Sequence, residues 1–95
     1  MLLQIGRIVY SKAGRDNNGM PFVIVAVEGD YAYIVNGESR LLERPKKKKS
    51  KHIQPTNHID KDIAAKLTMG GYVNDADIRK LLKAYKSGSK EVMHG

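Results

Sequence analysis

The residues most able to do chemistry in this chain lie in residues 44–52, RPKKKKSKH. This stretch holds one arginine and five lysines and contains no acid. Ammonium and guanidinium groups at this density are suited to neutralising phosphates, so the stretch predicts a surface for a polyanion. Its basic residues, with the neighbouring histidine as a further donor, are Arg44, Lys46, Lys47, Lys48, Lys49, Lys51 and His52.

Other interpretations of this basic run remain open. Consecutive lysines are also typical of a solvated loop, and short basic runs match nuclear import signals. We favour nucleic acid because the run is tethered between two predicted strands. Ordering a tethered loop on a phosphate backbone costs less entropy than ordering a free arm. A polybasic patch without a lipid chain or an apolar wedge is a poor anchor, so no membrane partner is expected.

The positive charge is concentrated in one place. The chain has 95 residues and a net charge of +7. Residues 1–44 balance their charges, whereas residues 45–58 carry five lysines and no acid. A local cluster beside a neutral body implies a polyanionic partner more strongly than a diffuse excess does.

The composition also limits the class of protein. The length suits a single domain. The absence of cysteine excludes disulfides, thiolate metal sites and cysteine nucleophiles, and it favours a reducing, cytoplasmic location. The opening stretch MLLQIGRIVY does not have the pattern of a signal peptide. We find no nucleophile motif and no metal-ligand spacing among the histidines, so neither an enzyme nor a metal site is expected.

The first half of the chain predicts β-strands. Short, mostly apolar runs predict strands at residues 5–10, 22–27 and 31–35, followed by strands at 39–43 and 52–54. Asn36-Gly37 predicts a two-residue type I′ turn, and Pro45 and Pro55 are expected to follow the last two strands. Five short strands with tight turns predict a small barrel, which removes sheet edges by closing on itself.

The second half predicts two helices that cover this barrel. All of residues 22–27, FVIVAV, are apolar, so the side chains on both faces of that strand are apolar and both faces must be covered. Apolar residues at helical spacing occur at 59–67 and again at 78–85, where Asn74 and Asp77 come close to a capping box. We expect the second stripe to pack on the outer face of FVIVAV and Gly88 to end the helix. The stripe consists of Ile78, Leu81, Leu82 and Tyr85.

The predicted fold class is therefore mainly β: a small five-stranded barrel with one or two C-terminal α-helices packed on its outside. The predicted organisation is a barrel over residues 1–56, including a basic loop at 44–52. A helical extension over 57–88 and a frayed tail at 89–95 follow it.

Two further groups of residues have alternative interpretations. In residues 11–19, SKAGRDNNG, the side chains of Lys12 and Arg15 and the amides near Gly14 are suited to cradling a phosphate. An ordinary inter-strand loop is an equally good interpretation of these residues. Tyr31 and Tyr33 share one strand face and offer base-stacking surfaces, but we favour packing because aromatic residues tend to be buried.

The stretch GRIVYSKAGRDNNGMPFVIVAV resembles the KOW motif, and the later HIQPTN and NDADIRKLLKAY extend the likeness. Together they resemble the small KOW-domain ribosomal proteins of the large subunit in archaea and eukaryotes, and short bacterial KOW-domain RNA-binding proteins. The resemblance implies an SH3-like barrel that binds ribosomal or other structured RNA through its loops. It implies that Lys12, Gly14 and Arg15 are KOW-loop contacts and that residues 44–52 form the main RNA-facing loop.

The function predicted from the sequence is non-enzymatic RNA binding, associated with the ribosome and without a cofactor. The lysines of residues 46–51 neutralise phosphates, and Arg15, Arg40 and Arg44 add planar donors. Ribosomal proteins are further candidate partners, and the free chain is expected to be a monomer. The alternative is a protein-docking KOW module of a transcription or translation complex.

Overall fold

The computed structural model describes residues 3–94, with side chains up to Ser87. Five strands precede two helices, and a short 3₁₀ turn (Ser50–His52) joins the last two strands. The strands are β1 (Arg7–Ser11), β2 (Pro21–Glu28), β3 (Tyr31–Val35), β4 (Lys46–Lys49) and β5 (Ile53–Ile59). The helices are α1 (Lys61–Met69) and α2 (Asp75–His94). Neither helix, within the described residues, has the length and apolarity that a membrane crossing requires.

The five strands form one antiparallel sheet in the order β4-β3-β2-β1-β5. A flat sheet of this size would hold its edge strands about 19 Å apart, at about 4.8 Å per step. The edge strands β4 and β5 are joined by only three residues, which rise about 6 Å as a 3₁₀ turn. The sheet must therefore curl, and the predicted small, mainly β barrel-like fold is confirmed.

Two apolar clusters lie on the two faces of the curled sheet. Alternate residues of β2, such as Phe22 and Ile24, pack inside with residues of β1, β3 and β5. The intervening Val23 packs outside, in a cluster that includes Ile78 and Leu82 of α2. The prediction that a helical stripe covers the second face of FVIVAV is therefore confirmed. The first half of β2 is buried on both faces and so needs apolar residues at both parities, whereas Val27 and Glu28 at its end are exposed.

Local signals in the sequence start both helices. The Asp60 side chain accepts a hydrogen bond of 2.9 Å from the Ile63 amide, which caps α1. At α2 the Asn74 side chain accepts from the Asp77 amide at 2.8 Å, and the Asp77 carboxylate accepts from the Asn74 amide at 3.1 Å. These reciprocal bonds satisfy two amides that a helix N-terminus would otherwise leave without partners, as the capping-box pattern predicts.

Two glycines allow the helices to approach the sheet closely. A Cβ atom on Gly6 would lie 2.8 Å from the Ala64 Cβ of α1. A Cβ atom on Gly37 would lie 2.6 Å from the Asp75 carbonyl oxygen at the start of α2. Both glycines also have positive φ, 93° and 78°, so any other residue would be strained at these positions.

The predicted two-residue turn at Asn36-Gly37 is wrong. A type I′ turn needs positive φ at both central residues, and no non-glycine residue in the described part of the chain has it. The Asn36 side chain instead accepts hydrogen bonds from the amides of Glu38 and Arg40. These bonds shape a longer loop, residues 36–45, so the fourth strand falls at Lys46–Lys49 and not at residues 39–43.

Two predicted ends are also wrong. Strand β5 continues through Pro55 to Ile59, because an edge strand pairs on one side only and tolerates a proline whose missing amide faces away. Helix α2 continues through Gly88 to His94, so Gly88 does not end it; the frayed tail over 89–95 stays a prediction, and Gly95 lies outside the described residues. An interior glycine costs only about 1 kcal/mol, and lysine, glutamate and methionine downstream favour helix.

Candidate nucleic-acid interface

The lysine run is an edge strand, so its interpretation as a loop is wrong for residues 46–49. Strand β4 pairs antiparallel with β3, with Tyr31 opposite Lys49 and Ile34 opposite Lys46. Lysine is compatible with this position because an edge strand exposes one row of backbone groups, and its charges oppose pairing with a second chain. The long aliphatic stems can also lie along apolar surface.

The pleat of β4 divides its lysines between two sides. Lys46 and Lys48 pair with Ile34 and Ala32 of β3, and those two residues face the barrel interior. Lys47 and Lys49 pair with the tyrosines of β3 and are exposed. Because successive side chains of a strand alternate, two lysines of the run turn inward and two turn toward solvent.

The inward lysine Lys48 is part of a buried ion-pair network around Asp16. The side chains of Lys48 and Asp16 are 10% and 6% exposed. The Lys48 ammonium donates to the Ala13 carbonyl oxygen at 2.9 Å and lies 3.7 Å from the Asp16 carboxylate. Arg40 donates to both oxygens of the same carboxylate, at 2.9 and 3.1 Å. This network ties the β1–β2 loop to β4 and to the β3–β4 loop.

The charges around Asp16 keep its carboxyl group ionised. Burial acts to raise the pKa of Asp16, but the hydrogen bonds from Arg40 and the charges of Arg40, Lys48 and Lys46 outweigh it, so the pKa lies below its ordinary value. The hydrogen bond to Asp16 raises the pKa of Arg40 in turn. Arg40 and Lys48 are therefore committed to a carboxylate of the protein itself.

The outward lysine Lys47 lies over the tyrosines of β3. Its ammonium is 4.8 Å from the centre of the Tyr31 ring, 5.8 Å from that of Tyr33 and 3.3 Å from the Glu28 carboxylate. The hydrogen bond with Glu28 raises the pKa of Lys47. Hydrogen bonds from the Tyr33 hydroxyl and from Lys47 lower the pKa of Glu28. Because these groups are exposed, a phosphate is able to compete with Glu28 for Lys47.

The remaining exposed cations come from two distant segments that meet. The Lys12 amide donates to the His52 carbonyl oxygen at 2.8 Å, which joins the β1–β2 loop to the 3₁₀ turn. Lys48 joins the same loop to β4 through Ala13. We call the exposed cations of these joined segments the basic patch, which consists of Lys12, Arg15, Lys49 and Lys51.

The other residues predicted for the site have different surroundings. Gly14 is exposed in the β1–β2 loop with φ of 72°, and its carbonyl oxygen accepts from the Asn17 amide at 3.1 Å. His52 is half-buried in the 3₁₀ turn. Arg44 is exposed in the turn before β4, and the described hydrogen bonds and ion pairs do not connect it with the basic patch.

Sequence reasoning did not assign roles to Asp16 and Glu28, which pair with cations of the predicted site. Asp16 finds its partners, Arg40 and Lys48, far away in the sequence, so no local pattern identifies it. Glu28 was detectable in principle, since a β2–β3 hairpin places it opposite Tyr31. No protein-family model matches the chain, and a search of curated proteins finds no match to its sequence.

Proposed function

We propose that this chain is a non-enzymatic RNA-binding domain that holds RNA phosphates on the basic patch. The observation that carries the proposal is the meeting of two basic segments, remote in sequence, through the hydrogen bonds of Lys12 and Lys48. Four exposed cations on a tethered framework can neutralise several phosphates at a smaller entropic cost than a flexible arm. Two of these cations, Lys49 and Lys51, belong to residues 45–58, which carry five lysines and no acid, whereas residues 1–44 carry no net charge.

In this proposal the cations have two different roles. Lys12, Arg15, Lys49 and Lys51 meet phosphates, whereas Arg40 and Lys48 hold the β1–β2 loop in position through Asp16. Recognition then follows RNA shape more than base identity at this patch, because lysine is a point charge that reads no base pattern. Association with the ribosome is part of the proposal and is supported by the sequence resemblance and by the small barrel-like fold.

The test is the salt dependence of RNA affinity, measured by fluorescence anisotropy with a hairpin RNA that has an unpaired loop. The patch variant changes Lys12, Arg15, Lys49 and Lys51 to Gln. The matched control removes the same number of exposed charges from the helices by changing Lys61, Lys66, Lys80 and Lys83 to Gln.

We expect the patch variant to flatten the log–log slope by about 3 units, at roughly 0.7 to 0.9 per phosphate contact. The helix variant should keep nearly the wild-type slope, because long-range charge alone contributes little at physiological salt. Equal slopes for the wild type and the patch variant would contradict the proposal, as would equal flattening in both variants.

Protein docking is the second candidate, and one observation favours it. Met69 and Tyr72, on either side of the Gly70-Gly71 connection between the helices, are 83% and 79% exposed. Large apolar side chains so exposed are typical of contact sites. Binding to a ribosomal or transcription protein that is insensitive to salt and lost on changing Met69 and Tyr72 to Ser would favour this function over RNA binding.

A further inference from the structure

The helices leave part of the sheet's outer face uncovered. They pack over Val23 and Val35, near one end of the β2–β3 pair. Toward the β2–β3 turn the same face of β3 carries Tyr33, which is half-buried, and Tyr31, which is 37% exposed. These aromatic side chains remain open to solvent although an apolar neighbour on the same strand is covered. Such side chains are candidates for ligand contact.

This uncovered surface combines aromatic rings with cations. Lys49 and Lys47 lie directly opposite Tyr31 and Tyr33 in the β3–β4 pairing, and the Lys47 ammonium lies over both rings. Rings that stack on bases beside cations that meet phosphates are the combination by which proteins hold unpaired nucleotides. The surface is also continuous with the basic patch, because Lys49 belongs to both.

We propose that Tyr31, with Tyr33 beside it, stacks on unpaired bases of an RNA whose phosphates lie on the basic patch. This inference rests on the proposed function and narrows its ligand class to RNA with an unpaired segment. In the free chain the Glu28 carboxylate lies 3.3 Å from the Lys47 ammonium and holds it over the rings. On binding, Lys47 exchanges Glu28 for a phosphate and leaves the Tyr31 ring open to a base.

The test compares Tyr31→Ser with Tyr31→Phe on two RNAs: a hairpin with an unpaired loop, and a fully paired duplex with the same number of phosphates. We expect Tyr31→Ser to weaken loop binding about tenfold and to leave duplex binding and the salt slope unchanged. Tyr31→Phe should keep wild-type affinity because it keeps the ring. Equal loop affinity for the wild type and Tyr31→Ser would overturn the inference, and so would an equal loss on both RNAs.

A cross-linking measurement on the unchanged chain covers the case in which Tyr31→Ser does not fold. A photoreactive uridine in the hairpin loop should cross-link to residues 31–33, and cross-links confined to other residues would contradict stacking.

The two proposals fail in different ways. A flattened salt slope in the patch variant with no effect of Tyr31→Ser removes stacking alone, whereas an unchanged slope in the patch variant removes the proposed RNA function and the stacking with it.

Discussion

The substitution Asp16→Asn tests how the β1–β2 loop and the lysine strand are held together. It keeps the shape of the side chain and removes the negative charge that Arg40 and Lys48 share. An asparagine can accept at one oxygen, but its amide nitrogen would face the donors of Arg40. The change therefore leaves two cations beside each other without their counterion.

The expected loss of stability follows from how deeply Arg40 and Lys48, the partners of Asp16, are buried. Breaking a buried ion pair by removing one partner costs about 3 to 5 kcal/mol. Lys48 is 10% exposed and stays bonded to Ala13, whereas Arg40 is 29% exposed and regains hydration. These features place the loss near the lower limit, at about 3 kcal/mol in the free energy of unfolding.

Urea denaturation followed by circular dichroism measures this loss. With a slope of about 1.5 kcal/mol per molar urea for a small domain, the midpoint should fall by about 2 M. The matched control is Glu43→Gln, which removes one negative charge at an exposed position of the β3–β4 loop. It should change stability by no more than about 0.5 kcal/mol.

The pH dependence adds a second requirement. The folded chain holds the pKa of Asp16 below its unfolded value, which is near 3.9 for aspartate. A carboxyl group with a lowered folded pKa stabilises fully above the unfolded pKa, and this contribution is lost as the pH falls through the folded pKa. The difference in stability between the wild type and Asp16→Asn should thus begin to shrink below about pH 4, near the unfolded pKa, and disappear only below the lower folded pKa. A midpoint equal to that of Glu43→Gln at neutral pH, or a difference that persists in acid, would refute the network.

Three further predictions concern other contacts. Glu28→Gln should raise the affinity for hairpin RNA about twofold at low salt, since Glu28 then no longer neutralises Lys47. An unchanged or lower affinity, measured by fluorescence anisotropy, would contradict the competition between Glu28 and phosphate for Lys47. Gly37→Ala should lower the free energy of unfolding by about 3 kcal/mol through backbone strain and overpacking. The control Gly29→Ala should lower it by only about 1 kcal/mol, because Gly29 has positive φ but open space around it. Equal falls in the thermal unfolding temperature of the two variants would count against the close approach of Gly37 to α2. Asn74→Ala should cost about 1 kcal/mol through loss of the N-cap, and thermal unfolding equal to wild type would argue against that role.

Signals that act locally predicted much of the fold. The apolar run FVIVAV predicted a strand covered on both faces, because each parity needs its own apolar partners. The capped pattern from Asn74 predicted the start of α2, because capping depends only on residues within one turn. The two apolar clusters confirm the first prediction for the buried half of β2, although Val27 is exposed. The reciprocal hydrogen bonds at the helix start confirm the second.

Features decided by distant partners were not predictable in the same way. Asn36-Gly37 has the composition of a tight turn, but the Asn36 side chain closes a longer loop that docks on α2 through Leu42 and Asp75. The fourth strand therefore lies at Lys46–Lys49 and not at residues 39–43. The division of those lysines into inward and outward pairs follows from pairing with β3, and the buried Lys48 pairs with Asp16, which is distant in the sequence.

In the proposed function, RNA lies on the joined β1–β2 loop and β4–β5 segment. The most direct test of this placement is a titration of the isotope-labelled chain with the hairpin RNA, followed by backbone amide shifts in NMR spectra. We expect the largest shifts in residues 12–16 and 47–52 and at Tyr31, with α1 nearly unaffected. Shifts concentrated on the helices, or no shifts at RNA concentrations that saturate binding, would contradict it.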